Sequence, residues 1–241
     1  MDSFNHFKEN VHQVTKSGFA ELALELFRFQ AENNSIYKSY IEHLQINPEL
    51  VFQIKDIPFL PIQFFKSHEI KTGSWKEVKI FKSSGTTNTG RSAHLVEDLL
   101  FYHKGARLFA EKDFGSLSGF EICALLPSYH EQGNSSLIEM VNHFSSIALP
   151  ESGFYHHREE ELIHRLDNST NTVLVFGVSY ALVDLAEKVK KANWSRHIFV
   201  ETGGMKGRKK EITRTQLHNT LSKAFGTDLI HSEYGMTELM S

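Results

Sequence analysis

Residues 81–94, FKSSGTTNTGRSAH, bring small hydroxyl side chains and glycines together directly after a short apolar run. Gly85 and Gly90 allow tight turns and a close approach of the backbone to an anion. Successive backbone N–H groups in such a loop form an anion-binding nest, and Arg91 supplies a countercharge. The hydroxyl donors of the loop are Ser83, Ser84, Thr86, Thr87 and Thr89. The segment predicts a polyphosphate-binding loop without the Walker spacing, and its alternative is a polar surface loop.

The end of the chain, IHSEYGMTELMS, is a second stretch whose residue types can do chemistry. The ring of Tyr234 can stack on a base, and the Thr237 hydroxyl can donate to a phosphate. Glu238 offers the hard oxygen ligand that Mg²⁺ accepts beside substrate phosphates. The alternative is that Thr237 and Glu238 are first-turn residues of an ordinary helix.

A third stretch, FYHHREEELIHRL, has residues of metal-ligating types. On a helix, His156, Glu160 and His164 would share one face at a spacing of four residues. The HExxH pattern is not present, and residues of these types normally face water. A solvated helix is therefore the favoured interpretation, and a metal site is the alternative.

Composition excludes several classes of protein. The 241 residues are 40% hydrophobic and 23% charged, with a net charge of −3, which is typical of an ordinary globular chain. The acidic balance argues against nucleic acid as a partner. Neither a typical signal peptide nor a run of about 18 apolar residues is found. Cys123, the single cysteine, lies in an apolar run and is expected to be a buried strand residue. We expect a cytoplasmic protein without a membrane span.

Hydrophobic patterning predicts the order of the elements. Residues 3–45 are expected to be helical, and Pro58 and Pro61 favour an extended piece before a short helix near Phe64–His68. After Gly73, strands and helices alternate. The predicted strands are EVKIFKS, GFEICALLP, TNTVLVFGVS, RHIFVETGG and DLIHSEYG. The predicted helices are HLVEDLLFYHKGARLFAE (mostly helical), SSLIEMVNHFSSI, YALVDLAEKVKKA and EITRTQLHNTLSKAFG.

This alternation predicts an α/β fold, with a mostly parallel sheet flanked by helices and a helical N-terminal segment. We expect one domain over residues 1–241. In such folds ligands bind outside the carboxyl ends of the strands. The loop SSGTTNTG follows the predicted strand EVKIFKS directly, so it is expected at this edge.

The combination of SSGTT with a later YGMTE resembles the adenylate-forming superfamily of acyl- and aryl-CoA ligases. Within it, the chain is most similar to the LuxE-type acyl-protein synthetases, and phenylacetate-CoA ligases are more distant. The resemblance runs from about residue 56 to the end. The motifs that carry it are IPFLPIQFFK, SSGTTNTGRSAH, LLPSYHEQGNSSLIEM, ETGGMKGR and SEYGMTEL.

The resemblance implies roles for individual residues at the nucleotide. The loop that would hold the β- and γ-phosphates of ATP is Ser83, Ser84, Gly85, Thr86 and Thr87. Tyr234 matches the aromatic residue that packs on adenine, Thr237 the residue near the α-phosphate, and Glu238 the acid associated with Mg²⁺. Thr87, Thr237 and Glu238 are thus the implied catalytic residues.

Further positions of the resemblance concern the adenine and acyl pockets. Gly203 and Gly204 match glycines that border adenine. His130 falls at the mouth of the carboxylate pocket in many relatives, and Gly177 and Ser179 resemble an acyl-pocket segment. The implied reaction is attack of a carboxylate, expected to be that of a fatty acid, on the α-phosphate of MgATP. An acyl-adenylate and pyrophosphate are the products, and a protein thiol or CoA is the implied acyl acceptor.

The chain departs from the family pattern in two places. Where relatives have Gly-x-Pro-Lys-Gly after the phosphate loop, this chain has Asn88-Thr89-Gly90-Arg91-Ser92, and Arg91 would replace the lysine as the cation. The sequence ends before the relatives' C-terminal lid domain, so we expect that lid to be absent from residues 1–241 and full turnover to depend on it. Two alternatives stay open: a non-catalytic nucleotide- or acyl-binding partner that needs a separate lid, and an aryl-CoA ligase-like enzyme.

Overall fold

A computed structural model describes most of the chain. The residues that it describes are 2–83, 90–127, 133–205 and 207–240, with the side chains from Asn5 onward. They fall into two compact units, the first within residues 1–108 and 237–240 and the second within Phe109–Met236. The prediction of one domain stays a prediction. No helix in these four ranges is long and apolar enough to cross a membrane.

The first unit is largely helical, as the sequence predicts. Its helices are α1 (Asp2–Asn10), α2 (Phe19–Asn33), α3 (Ser35–His43), α4 (Phe64–Ser67) and the first part of α5 (Leu99–Phe114). Its strands are β1 (Lys79–Lys82) and β2 (Ala93–Val96). Helix α3 begins where the Asn34 side chain accepts a hydrogen bond from the Tyr37 N–H, the usual way to satisfy a free N-terminal donor. The helical N-terminal segment is confirmed.

A small apolar core holds α2 and α3 together. Its buried members are Phe27, Ala31, Tyr37, Ile41, Val51 and Ile57. The Tyr37 hydroxyl donates to the Pro58 carbonyl at 2.8 Å. The proline-rich piece is therefore fixed to the helices before α4 begins, in agreement with the predicted extended segment and short helix.

Strands β1 and β2 form an antiparallel pair, with Lys79 opposite Val96 and Lys82 opposite Ala93. The stretch predicted as mostly helical from His94 begins as a strand, and α5 starts only at Leu99. The expectation that β1 belongs to the parallel sheet was wrong. Pairing with β2 instead buries Phe81 and Val96, and such a partner cannot be read from local hydrophobic periodicity.

The second unit contains a parallel sheet, which confirms the predicted fold class. Its strands are β3 (Glu121–Leu125), β4 (Gly153–Phe154), β5 (Val173–Val178), β6 (Ile198–Thr202) and β7 (Ile230–Glu233). Its helices are α6 (Ser136–Ile147), α7 (Glu159–Asn168), α8 (Ser179–Val189) and α9 (Arg214–Phe225). The strand order is β4-β3-β5-β6-β7, and all four pairings are parallel. Strands β3 and β5 are wholly buried, as expected of a sheet covered on both faces.

Two local features fix the helices that flank the β5–β6–β7 edge. Gly177 lies where an added Cβ would come within 2.8 Å of the Leu182 side chain, so a glycine lets α8 pack closely on β5. Helix α9 starts with a capping box, in which Thr213 and Gln216 satisfy each other's backbone N–H groups. The carboxyl ends of β5, β6 and β7 and the starts of α8 and α9 therefore have defined positions.

Candidate functional site

A cavity of about 380 Å³ lies at the carboxyl ends of β6 and β7. Its wall is Ser179, Glu201, Thr202, Gly203, Gly204, Met205, Glu211, Ile212, Arg214, Leu217, Glu233, Tyr234 and Gly235. The register places Glu201 beside Ser232 and Thr202 beside Glu233. The loops after parallel strands meet at one edge of the sheet, which is where α/β proteins bind ligands.

The Glu201 carboxylate is the polar centre of this cavity. The residue is only 5% exposed. Its Oε2 accepts a hydrogen bond of 2.8 Å from the Ser179 hydroxyl, and its Oε1 accepts one of 2.6 Å from the Ser232 hydroxyl. Arg214 Nε lies 3.5 Å from Oε1. A buried carboxylate is tolerated only when it is paired and hydrogen-bonded, and this one has both kinds of partner.

His218 joins the same group from α9. Its Nε2 lies 3.1 Å from the Ser232 Oγ and 3.6 Å from Glu201 Oε1. Because the single hydroxyl hydrogen of Ser232 points to Glu201, we assign the hydrogen between Ser232 and His218 to the histidine Nε2.

The turn after β6 is a pair of glycines with backbone conformations that other residues rarely adopt. Gly203 has a φ of 77° and Gly204 a φ of 67°, both in the left-handed region where a side chain is strained. The Gly204 N–H donates to the Ser179 hydroxyl oxygen at 3.2 Å. This turn therefore presents backbone without a Cβ to the cavity.

A second carboxyl group, Glu233, ends β7. Its Oε2 accepts a hydrogen bond of 2.5 Å from the Thr202 hydroxyl. Burial raises the pKa of Glu233 above its ordinary value, the Thr202 hydrogen bond opposes this effect, and the negative charge of Glu201 adds to it. A Cβ on Gly235 would lie 2.2 Å from Glu233 Oε1, so a larger residue there would require the Glu233 side chain to move.

Tyr234 follows Glu233 and is 77% exposed. Its hydroxyl donates to the Met236 sulfur at 3.3 Å, which is a weak hydrogen bond. An exposed ring at the cavity wall has a free face on which a planar group can stack.

Four of the predicted site residues therefore lie in the wall of this one cavity: Ser179, Gly203, Gly204 and Tyr234. Gly177 is also in the second unit but lies inside β5, where the packing of Leu182 accounts for it. The predicted residues outside the described part of the chain are Ser84, Gly85, Thr86, Thr87 and His130.

The remaining predicted residues belong to the first unit. The Ser83 N–H donates to the Ser92 carbonyl, and the Ser83 hydroxyl accepts from the Ser92 N–H, both at 3.0 Å. These bonds extend the β1–β2 pairing by one step. Arg91 directly precedes Ser92, two residues before the start of β2.

Thr237 and Glu238 lie near β2 of the same unit. His94 Nδ1 forms a hydrogen bond of 2.9 Å with the Thr237 carbonyl. Burial lowers the pKa of His94 most strongly, and this bond and the charge of Glu238 oppose that effect. His94 is therefore best described as a neutral donor that fixes the backbone of Thr237 beside Glu238.

The residues that the structure describes offer few ligands for a metal ion. Among them, no group of three or more His, Cys, Asp or Glu side chains could hold an ion. Helix α7 begins at Glu159, so His156 precedes it. His156 therefore does not share a helical face with Glu160 and His164, as the alternative metal site would require. Mg²⁺ needs only one or two carboxylates when substrate phosphates supply the other ligands, and Glu238 fits that requirement.

Sequence reasoning missed the polar groups between the glycines and the tyrosine. Glu201, Arg214, His218 and Glu233 were not predicted as site residues. Glu201 carried a usable signal, because a charged residue directly follows the apolar run IFV, two positions before a pair of glycines. Arg214 and His218 carried none, since they lie on the amphipathic helix α9 and their orientation toward β6 depends on the packed structure.

Comparison of the chain with protein-family models finds no matching family, and comparison with curated proteins finds no matching relative.

Proposed function

We propose that this chain is a cytoplasmic, LuxE-like enzyme that binds MgATP and activates a carboxylic acid, in particular a fatty acid, as an acyl-adenylate. The acyl group would then pass to a thiol acceptor, either a protein cysteine or CoA. The observation that carries the proposal is the cavity at the ends of β6 and β7. It collects Gly203, Gly204 and Tyr234, the three residues to which the resemblance gives the adenine ring.

The geometry of this cavity suits a flat heteroaromatic base. The exposed Tyr234 side chain and the Gly203–Gly204 turn, which has no Cβ, both line this cavity, and the purine ring is proposed to lie between them. The volume of about 380 Å³ is within the range of small-ligand sites, roughly 300–1,000 Å³. The hydrogen-bonded Glu201 adds a polar group to the cavity wall.

The chemistry assigned to the chain follows from the proposed substrate. An oxygen of the acid's carboxylate forms a bond to the α-phosphorus, and the bond from that phosphorus to the bridging oxygen breaks and releases pyrophosphate. The protein's part is to position the two reactants and to stabilise the developing charge. In this proposal the roles of Ser83, Thr237 and Glu238 come from the resemblance alone, as do those of residues 84–87.

Mg²⁺ enters the proposal through the substrate. When bound to ATP it neutralises charge on the phosphates, and Glu238 is the residue proposed to hold it. The other residues of this chain act on the substrate itself: Tyr234 orients the base by stacking, and Gly203 and Gly204 leave room for the base.

A direct binding measurement tests the nucleotide half of this proposal. Isothermal titration calorimetry of the chain with MgATP should give saturable binding that is weakened in Tyr234→Ala and retained in Tyr234→Phe. MgGTP is titrated in the same way for comparison. If neither nucleotide binds, the proposal is contradicted. If binding is unaffected by Tyr234→Ala, the nucleotide does not use this cavity.

A further inference from the structure

The Glu201 carboxylate lies in the cavity wall but is only 5% exposed, and both of its oxygens already accept hydrogen bonds, so its partners suggest a positioning role. Each of its oxygens accepts a serine hydroxyl, Ser179 from the β5–α8 junction and Ser232 from β7. It thereby links three neighbouring strand ends. A buried ionic group of this kind is often no better for stability than an apolar residue of the same size, so its location beside a ligand cavity calls for a functional explanation.

The hydrogen-bond directions form a chain that ends at the glycine turn. A hydroxyl has one hydrogen to donate and lone pairs to accept with. Ser179 donates that hydrogen to Glu201 at 2.8 Å, in preference to the Thr202 carbonyl at 3.3 Å. Its lone pairs then remain to accept from the Gly204 N–H at 3.2 Å. The orientation of Ser179, and with it the acceptor of Gly204, depends on Glu201.

The Gly203–Gly204 turn needs an anchoring hydrogen bond because a pair of glycines does not hold one backbone conformation by itself. Gly203 and Gly204 have access to many backbone conformations, and both are exposed. The hydrogen bond that the Gly204 N–H donates to the fixed Ser179 oxygen selects the conformation in which the turn lines the cavity.

We propose that Glu201 is a positioning residue for the nucleotide, acting through the Ser179 hydroxyl on the Gly204 N–H and so on the shape of the Gly203–Gly204 turn. This inference rests on the proposed function, since the turn is the one assigned to the adenine ring. The charged groups that face Glu201 are Arg214 and His218 from α9 and Glu233 from β7. Arg214 and His218 lie against the Glu201 Oε1 oxygen, whereas the negative charges of Glu201 and Glu233 repel each other.

Two uncharged replacements separate the hydrogen bond from the charge. In Glu201→Gln the amide oxygen can still accept from Ser179, and the amide N–H can donate to Ser232. In Glu201→Leu the shape is kept but the acceptor is lost, so the Ser179 hydrogen turns toward the Thr202 carbonyl. Loss of one such bond corresponds to a change of about three- to tenfold in an equilibrium.

The experiment is steady-state ATP–pyrophosphate exchange by the full chain, with KM for ATP and kcat measured separately. We expect Glu201→Leu and Ser179→Ala each to raise the KM for ATP about three- to tenfold with little change in kcat. Glu201→Gln should stay within about twofold of the wild type. The double variant Glu201→Leu/Ser179→Ala should be no worse than either single variant, because both remove the same chain of bonds.

A buried carboxylate elsewhere in the same sheet provides the matched control. Glu121 at the start of β3 accepts hydrogen bonds from Ser169, Asn171 and Arg165, at the end of the sheet opposite the cavity. Glu121→Gln should lower the unfolding temperature and leave the KM for ATP within about twofold. A purely structural role for Glu201 would make the two sites behave alike.

A second readout does not depend on nucleotide. Amide hydrogen exchange at Gly204 should be faster in Glu201→Leu than in the wild type or in Glu201→Gln, while exchange within β6 is unchanged. The inference is overturned if the Leu and Gln variants have the same KM and the same Gly204 exchange, or if the two single effects add. A wild-type chain that neither binds ATP nor supports exchange contradicts the proposed function itself, whereas an active wild type with an unaffected Glu201→Leu contradicts this inference alone.

Discussion

The Thr202 hydroxyl donates a 2.5 Å hydrogen bond to the Glu233 carboxylate and so joins the last residue of β6 to the last residue of β7. The bond lies at the edge of the sheet where the candidate cavity opens. Glu233 is therefore part of the cavity wall by virtue of strand register, and its carboxyl group faces a site that already contains the buried Glu201.

The raised pKa of Glu233 predicts a pH effect on stability. Burial, and secondarily the charge of Glu201, make the folded protein bind the Glu233 proton more tightly than the unfolded chain does. The stability from this group is fully present below its ordinary pKa of 4.5 and is lost as the pH rises through the raised value. Relative to the wild type, Glu233→Gln should become progressively more stable as the pH rises above 4.5 and through the raised pKa of Glu233.

Urea unfolding at a series of pH values measures this difference. Comparison of the two proteins at each pH cancels the titration of all other groups. Thr202→Val, with Glu233 kept, is the control. It removes the hydrogen bond that favours the charged form of Glu233, so this variant should lose stability more steeply than the wild type as the pH rises. A Glu233→Gln difference that is constant with pH would contradict the raised pKa.

Glu121 should show the opposite pH dependence. Burial disfavours its charged form most strongly, but hydrogen bonds from Ser169, Asn171 and Arg165 together hold its pKa below the ordinary value. The stability from Glu121 is present above its unfolded pKa and is lost as the pH falls through the folded pKa. Glu121→Ala should cost about 3 kcal/mol at neutral pH and much less in acid.

The control for this prediction is the exposed partner of the same arginine. Glu151 lies 2.9 Å from Arg165 Nη2 but is mostly exposed, so Glu151→Ala should cost at most about 1 kcal/mol. Equal losses in the two variants, measured by urea unfolding, would show that burial of Glu121 does not set the size of the effect.

Gly177 is expected to matter for packing. Gly177→Ala places a methyl group 2.8 Å from Leu182 Cγ and Cδ2 and should reduce the free energy of unfolding by about 1–3 kcal/mol. Trimming the neighbour in Gly177→Ala/Leu182→Ala should make the two losses less than additive. A stable Gly177→Ala with altered preference among carboxylic acids would support the acyl-pocket role that the resemblance implies.

Tyr234 is expected to matter for binding and little for stability. Its ring is mostly exposed, so Tyr234→Ala should leave the unfolding temperature nearly unchanged. Affinity for MgATP should fall about three- to tenfold because a stacked aromatic face is lost. Tyr234→Phe keeps that face and should bind as the wild type does; equal weakening in both variants would assign the effect to the hydroxyl instead.

Much of the fold could be predicted because its elements have strong local signals. Strands such as the one around Cys123 are continuous apolar runs between turn residues, and α9 has both a cap at Thr213 and a stop at Gly226. The β1–β2 pair was missed because the antiparallel partner of β1 is not visible in local patterning and the short AHLV segment resembles the start of the helix that follows. The two-residue β4 has too few residues for any pattern.

The candidate site was predictable only in its glycines and its tyrosine. Those residues have unusual backbone or ring properties that mark them in a sequence. The network around Glu201 depends on which hydroxyl groups three strand ends bring within hydrogen-bond distance, and on the face that α9 turns toward β6. These relations between residues distant in the chain exist only after packing.

ATP–pyrophosphate exchange with Mg²⁺ and a panel of acids, from acetate to palmitate and phenylacetate, is the first test of the proposed acyl-adenylate formation, because it isolates adenylation from the acceptor step. We expect exchange that depends on a carboxylic acid, is strongest with fatty acids, and has a higher KM for ATP in Tyr234→Ala and Glu201→Leu. A panel with no exchange for any acid, together with no binding of MgATP, would contradict the proposed function.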